Sequence, residues 1–411
     1  MSRLVIATHR RLDTEKSGSK TYLKRLVDLA ETRGFEVAFV CVPEATFSNR
    51  PWATIDPAFA VGRAIAWPGA FKSGDAWISL SPKVWSRFIW RLFQEVFIRL
   101  RLGPESWRRP WANLSTPPTS RDLHRTAKAV TALKPDIVVV EYSAMGPLLP
   151  RLPKSIGTAL LVHDSFAARA ELFEARGERL DSAERPDFAT EAARFNMADV
   201  VLHASVNELE RFSELASCAE HLWFRPTAPV RRDALRRLDA PRLVYIGADQ
   251  QGSRDAITHF LADLWPGIRN ATPSTRLEII GPVGATLDKS LLTDGVDVLG
   301  RVDDLADYGG PDRIGLAPTR LASGISIKIG EYLGLGLPIV AYRTGVDGYG
   351  STLDGILNPT ETPNEFVEET LRLVNDRDLR RTRAEAGLDL AETLLSNDDV
   401  ANRLVQLAQT V

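Results

Sequence analysis

Ten short runs of nearly unbroken apolar residues, separated by longer stretches of helical character, constrain this chain more than any other feature. DIVVVEY (136–142) and RLEIIG (276–281) are typical. A strand with one wet face alternates apolar and polar residues, whereas a strand covered on both faces does not. The runs therefore predict parallel strands sandwiched between helices and joined by βαβ crossovers. Five lie in the first half, at 4–8, 37–42, 136–142, 159–163 and 200–204. Five more lie at 243–247, 276–280, 296–299, 314–317 and 339–342. Each set is long enough for one sheet, so the expected class is α/β with two Rossmann-like, doubly wound domains.

A length of 411 residues is also too great for one ordinary core. The expected boundary lies in 223–241, where Pro226, Pro229 and Pro241 stand among arginines. That division gives a first domain over 1–225, a second over 226–395, and a tail helix at 396–411 able to pack back on the first. Residues from about 44 to 123 hold seven of the nine tryptophans with little βαβ rhythm, and read as an insertion. A net charge of −2 gives no pull toward nucleic acid, and no nucleic-acid module is visible. The two cysteines, Cys41 and Cys218, carry no metal or disulfide spacing. The N-terminal run is too short for a signal peptide, which makes a cytoplasmic location the simplest expectation.

The stretch LASGISIKIGEYLGLGLPIVAY (321–342) concentrates the chemistry of the second half. Ser323 reads as an N-cap, and Gly324 permits close approach of the backbone. The N–H groups of a first helical turn have no partner inside the helix and seat an anion such as a diphosphate. Ile325 and Ser326 would line that turn. Lys328 is the expected cation for the same anion. Glu331 follows on the same face, three residues on, where a carboxylate can accept two ribose hydroxyls. A solvated Lys–Glu pair is the bland alternative.

This segment resembles the nucleotide-sugar motif of family 4 glycosyltransferases, which have the GT-B fold of two facing Rossmann-like domains. The resemblance rests on Gly324, Lys328-Ile329-Gly330-Glu331-Tyr332-Leu333 and Gly336-Leu337-Pro338-Ile339-Val340. It implies that Glu331 is the second glutamate of the family's pair and holds the nucleotide ribose. The first glutamate of that pair would fall at Ser323, so the contact to the donor sugar is altered. It further implies Gly247 in the first loop of the second domain, and Arg301 and Val302 near the base. The family's diphosphate-gripping Arg and Lys are out of register here, with Arg254 close by and Lys328 carrying more of the load. Family membership implies transfer with retention at the anomeric carbon, electrostatic catalysis and no metal or other cofactor.

In the first half, His163 ends a strand, where ligands of open α/β sheets bind. The resemblance places it near the donor sugar as a catalytic candidate beside Lys328; a structural hydrogen bond is the alternative. Ser17, Gly18 and Glu141 are candidates for the acceptor side. Residues 84–102, VWSRFIWRLFQEVFIRLRL, carry apolar residues at helical spacing and five charges. Each central charge costs about 2.5–3.5 kcal/mol of insertion free energy against about 0.3–0.6 returned per large apolar residue, so the stretch does not span a membrane. Two readings stay open: a core helix, or a basic and aromatic helix lying on an anionic membrane surface. The second suits a lipid-linked acceptor in surface polysaccharide synthesis, on the inner face of the membrane. Two rivals to transfer are an epimerase, for which no cluster of acid–base groups stands out, and a non-catalytic binding subunit.

Overall fold

All ten expected strands form, and five further short ones join them among the described residues. The structure, a computed structural model, describes residues 2–14, 18–48, 50–100, 102–103, 114–175, 177, 185–234, 240–320 and 324–409. The chain divides into two compact units, one of residues 1–203, 209–223 and 398–411 and the other of 204–208 and 224–397.

The strands of the first unit are β1 (Arg3–Thr8), β2 (Glu36–Cys41), β3 (Trp52–Thr54), β4 (Ala64–Ala66), β5 (Ala70–Ser73), β6 (Ala76–Ser79), β7 (Ile137–Glu141), β8 (Gly157–Val162), β9 (Val200–His203) and β10 (Glu220–Trp223). Seven of them make a parallel sheet in the order β10-β9-β8-β7-β1-β2-β4. Its central strands are buried on both faces, as their unbroken Val and Leu runs require. After β1 the chain winds toward β2 and β4, then returns to place β7 on the other side of β1. The winding thus reverses between β1 and β7. Open α/β sheets bind ligands beyond the strand C-termini at such a reversal.

The second unit has β11 (Arg242–Ile246), β12 (Arg276–Ile280), β13 (Val296–Gly300), β14 (Arg313–Ala317) and β15 (Ile339–Ala341), all parallel in the order β13-β12-β11-β14-β15. Here the winding reverses between β11 and β14. Gly281 follows β12 at φ +103°, with its Cα against the Gly247 carbonyl, and a side chain there would collide with that backbone. The core of this unit joins Leu243, Tyr245, Ile279, Leu316 and Val340 of the sheet to Ile257, Phe260, Trp265 and Phe366 of its helices.

The tryptophan-rich segment supplies the edge strand β4 and a small antiparallel sheet, β3-β6-β5. Trp67 is buried there and stacks on Phe47 at 4.3 Å between ring centres. The following helix, Pro82–Arg99, is not the core helix that its apolar spacing allows. It buries only Val84, Gln94 and Ile98, and leaves Trp85, Ile89, Leu92, Phe93, Val96 and Leu100 exposed. Among the described residues, no helix is long and apolar enough to cross a membrane. The last helix, Asp398–Gln409, belongs to the first unit, where Arg403 pairs with Glu220 at 2.5 Å.

Candidate functional site

At the reversal in the second unit, Tyr332 ties the two strand ends together. Its buried hydroxyl accepts from the Ile246 N–H and donates to the Leu316 carbonyl, each at 3.0 Å. Tyr332 stands on the helix Ile327–Gly334, so the tie also fixes that helix against the sheet. Tyr349 adds a second tie, accepting from the Gly330 N–H and donating to the Ser326 carbonyl, again at 3.0 Å.

The helix begins three residues later than the sequence predicts. Ser326, not Ser323, stands at the N-cap, and its side chain makes no capping bond. Gly324 lies before the helix at φ +69°, a left-handed turn that cannot be a helical residue. Its N–H is not offered to an incoming anion: it donates to Glu208 Oε1 at 3.0 Å. Ile325 is half-buried, with Gly348 packed close against its Cα. Ser323 lies outside the described residues.

Lys328 is one turn into this arrangement. Its Nζ donates to the Tyr245 hydroxyl at 3.1 Å and sits 4.2 Å from the centre of the Tyr245 ring. The same hydroxyl donates to the Ser253 carbonyl at 2.9 Å, which leaves its lone pairs toward the ammonium. A cation over an aromatic face is held by the ring quadrupole as well as by the bond. Lys328 is thereby fixed over Tyr245, whose ring packs against Gly247, the residue that follows β11. Burial pushes the pKa of both Tyr332 and Tyr349 up against the hydrogen bond that each accepts, and the charge of Glu331, half-buried on the helix, adds to the rise. The structure thus gathers Gly247, Lys328, Gly324, Ile325, Ser326 and Glu331 around one end of one sheet. Arg254 is turned to Asp249 at 2.7 Å on the surface, and Arg301 is exposed beyond β13 with half-buried Val302 behind it. Arg320, which sequence reasoning missed, pairs with Asp255 at 2.6 Å.

The reversal in the first unit carries a buried polar cluster. Glu141, the last residue of β7, is wholly buried. It accepts from Thr8 Oγ1 at 2.6 Å and bonds His163 Nε2 at 2.7 Å, with Arg10 Nε at 3.3 Å. Burial pushes the Glu141 pKa up, but the Arg10 charge and the bonds from His163 and Thr8 outweigh it and hold the carboxyl at about 2. An ionised carboxylate only accepts, so His163 Nε2 carries the proton. Burial lowers the His163 pKa against the pull of Glu141, so the ring is neutral and Nδ1 is a lone-pair acceptor. Arg10 also donates to Ser19 Oγ at 2.7 Å and to the Tyr142 hydroxyl. Tyr142 stacks near His163, ring centres 4.6 Å apart, on a backbone at φ 66°, ψ 151°. That region is nearly reserved for glycine, and a tyrosine held there stores on the order of 1–3 kcal/mol of strain, as functional sites do.

Three buried polar atoms of this cluster have no partner among the described residues: His163 Nδ1, His9 Nδ1 and Arg10 Nη1. Folded proteins rarely leave such atoms unpaired, and a polar ligand is one explanation. Sequence reasoning flagged His163 and Glu141 separately and saw no acid–base cluster, which the structure corrects. The dipeptide His9-Arg10 at the end of β1 was the missed signal. Gly18 opens the helix Gly18–Thr32 near Ser19, while Ser17 lies outside the described residues. Among the described residues, no group of three or more His, Cys, Asp or Glu is placed to hold a metal ion.

The histidines make the first unit acid-sensitive. Burial depresses the His9 pKa to about 4, from 6.5. The unfolded chain then binds the proton first, so stability falls as pH drops from 6.5 toward 4. His9 alone is expected to cost about 2 kcal/mol between pH 7 and pH 5. Urea unfolding at the two pH values checks this, and a His9→Gln chain should fall less steeply.

Residues 240–376 match the family model described as glycosyl transferases group 1. No curated protein sequence matches the chain. Solved structures match over its full length. Sucrose-phosphate synthase from Thermosynechococcus elongatus is 16% identical, with 100% of this chain and 99% of that one covered and a TM-score of 0.63. S. aureus TarM, solved with UDP and α-GlcNAc-glycerol, is 9% identical over 99% of this chain and 100% of that one, with a TM-score of 0.65. WaaG, described as a glycosyltransferase involved in lipopolysaccharide biosynthesis, is 13% identical over 97% and 98%, with a TM-score of 0.58. The second unit thus carries the match to the group 1 glycosyltransferase model, and the chain as a whole has the GT-B fold of these solved proteins.

Proposed function

We propose that the chain moves a sugar from a nucleoside-diphosphate sugar to a carbohydrate or lipid-linked acceptor, with retention at the anomeric carbon. The reading rests above all on Lys328, held over the Tyr245 ring that packs against Gly247, and one turn before Glu331. Negative charge grows on the departing diphosphate as the glycosidic bond breaks. The Lys328 ammonium and the first-turn N–H groups of Ile327–Gly334 stabilise that charge from fixed positions, a role that requires no metal. Glu331 accepts the ribose hydroxyls. Glu208 brings a carboxylate to Gly324, next to the position where related enzymes carry their first glutamate, and takes over its contact with the sugar. His163, its Nδ1 open as an acceptor, binds a hydroxyl of the transferred sugar, and Arg10 and His9 bind further hydroxyls in the first unit. The bound UDP and glycosylated glycerol of TarM support a nucleotide donor and a hydroxyl acceptor. The role given for WaaG supports synthesis of a surface polysaccharide or glycolipid.

Calorimetry with UDP-, GDP- and dTDP-sugars tests the donor. One class should bind, and Glu331→Ala should weaken it by about ten- to a hundredfold, the worth of hydrogen bonds to a charged group at about 1.5–3 kcal/mol. Thermal unfolding of that variant should match wild type. Equal affinity in the variant sinks the ribose assignment. Conversion of the donor to its epimer without acceptor would overturn transfer, and loss of activity with a chelator would overturn the metal-free step.

A further inference from the structure

We infer that the exposed face of the helix Pro82–Arg99 docks on an anionic lipid surface. Its amphipathicity is inverted relative to a core helix. Toward the protein it turns Val84, Gln94 and Ile98 together with half-buried Arg87, Arg91 and Glu95. Arg87 is held there by Glu44 at 3.6 Å. Toward solvent it presents Trp85, Ile89, Trp90, Phe93, Val96 and Phe97, each between 40% and 56% exposed. The hydrophobic effect disfavours a stripe of this size, about three turns long, in water, and a contiguous apolar patch marks an interaction surface. The stripe continues onto the small sheet: Trp52 meets Phe88 with ring centres 5.0 Å apart, and Trp52, Ile78 and Phe71 form one cross-strand row.

Charge selects the occupant. The helix carries Lys83, Arg87, Arg91 and Arg99 against the single acid Glu95, on a chain whose net charge is −2; Arg87 and Arg91 lie on the protein side, so the outward excess rests on exposed Lys83 and Arg99. Arg99 lies at the solvent edge of the stripe, 3.5 Å from Glu95 but with its side chain 78% exposed. A second copy of the chain docking face to face would bring this positive excess against itself, and like charges brought together oppose association. Anionic headgroups complement the same excess, while the tryptophan and phenylalanine rings suit the boundary between headgroup and acyl chain. The helix is too charged to enter the bilayer, so it lies in the interface plane.

The inference deepens the lipid-linked acceptor named above but is measured without donor or acceptor. Full-length protein is mixed with phosphatidylcholine vesicles, with and without about one third phosphatidylglycerol, and sedimented. Binding to the anionic vesicles is expected, at least tenfold weaker on neutral ones and weakened by salt. The tryptophan emission should shift to the blue on binding. A Trp90→Asp, Phe93→Asp double variant should lose at least tenfold in partitioning while its thermal unfolding and its nucleotide-sugar affinity stay as in wild type. Wild-type protein that stays in the supernatant overturns the inference. So does a variant that sediments equally well, or a dimer by light scattering that the double variant abolishes. None of these outcomes touches donor binding, which the calorimetry decides separately.

Discussion

A Lys328→Met chain is expected to fold normally and to transfer sugar about 10²–10³ times more slowly, with little change in donor affinity. The magnitude is that of removing one fixed donor aimed at charge that develops in a transition state. Methionine keeps the length and packing of the side chain and deletes the charge. The effect should fall on kcat because the ground-state diphosphate is already spread over several N–H groups. The charge on the leaving group grows only as the bond breaks. Tyr245 supplies the control. Tyr245→Phe leaves the ring beneath the ammonium and removes one hydrogen bond, so a loss of about tenfold is expected, the equivalent of about 1.4 kcal/mol. Steady-state kinetics with the donor found by calorimetry measures both. If Lys328→Met keeps its kcat, the leaving group is stabilised elsewhere in the protein.

The second large effect is on stability. Glu141→Ala should destabilise the first unit by about 3–5 kcal/mol, because Arg10 is then a buried charge without its counter-charge. Glu141 also sets an acid limb. Its pKa is depressed in the folded chain, to about 2 from 4.5, so its stabilisation is complete above pH 4.5 and lost as pH falls toward 2. That shift corresponds to about 3 kcal/mol, in line with the mutational figure. Urea unfolding at pH 7 checks the substitution. Repeating it between pH 4.5 and 2 should show a limb that is missing in Glu141→Gln. A variant within 1 kcal/mol of wild type at pH 7 would mean that Arg10 finds water or another partner once the carboxylate is gone.

Local pattern was enough to locate the main strands. Ten runs such as DIVVVEY became ten strands because burial on both faces forces every residue to be apolar, a pattern visible without neighbours. Of the five strands that escaped notice, β4 and β10 are the edges of the large sheet, three and four residues long. An edge strand needs little burial, so Ala-Ile-Ala and Glu-His-Leu-Trp carry no comparable mark. The fine structure of the second site was less legible. The helix was expected to open at Gly324 and opens at Ile327, because Glu208, more than a hundred residues away, takes the Gly324 N–H.

The chain order of residues determines which side chains stand at strand ends and which share a helix face. His163, Glu141, Lys328 and Glu331 were picked out as candidates that way, since the periods of 2 and 3.6 residues are properties of the backbone itself. Tertiary structure alone decided which of them meet and which way each face turns. His9, Arg10, Tyr142 and His163 converge on Glu141 only because the sheet winding reverses between β1 and β7, strands more than 130 residues apart. The helix Pro82–Arg99 shows the same division of labour. Periodicity placed its aromatic residues on one side, but it carries no information on whether that side points to the core or to solvent. That choice depends on what the neighbouring elements leave uncovered, and here they cover Val84, Gln94 and Ile98.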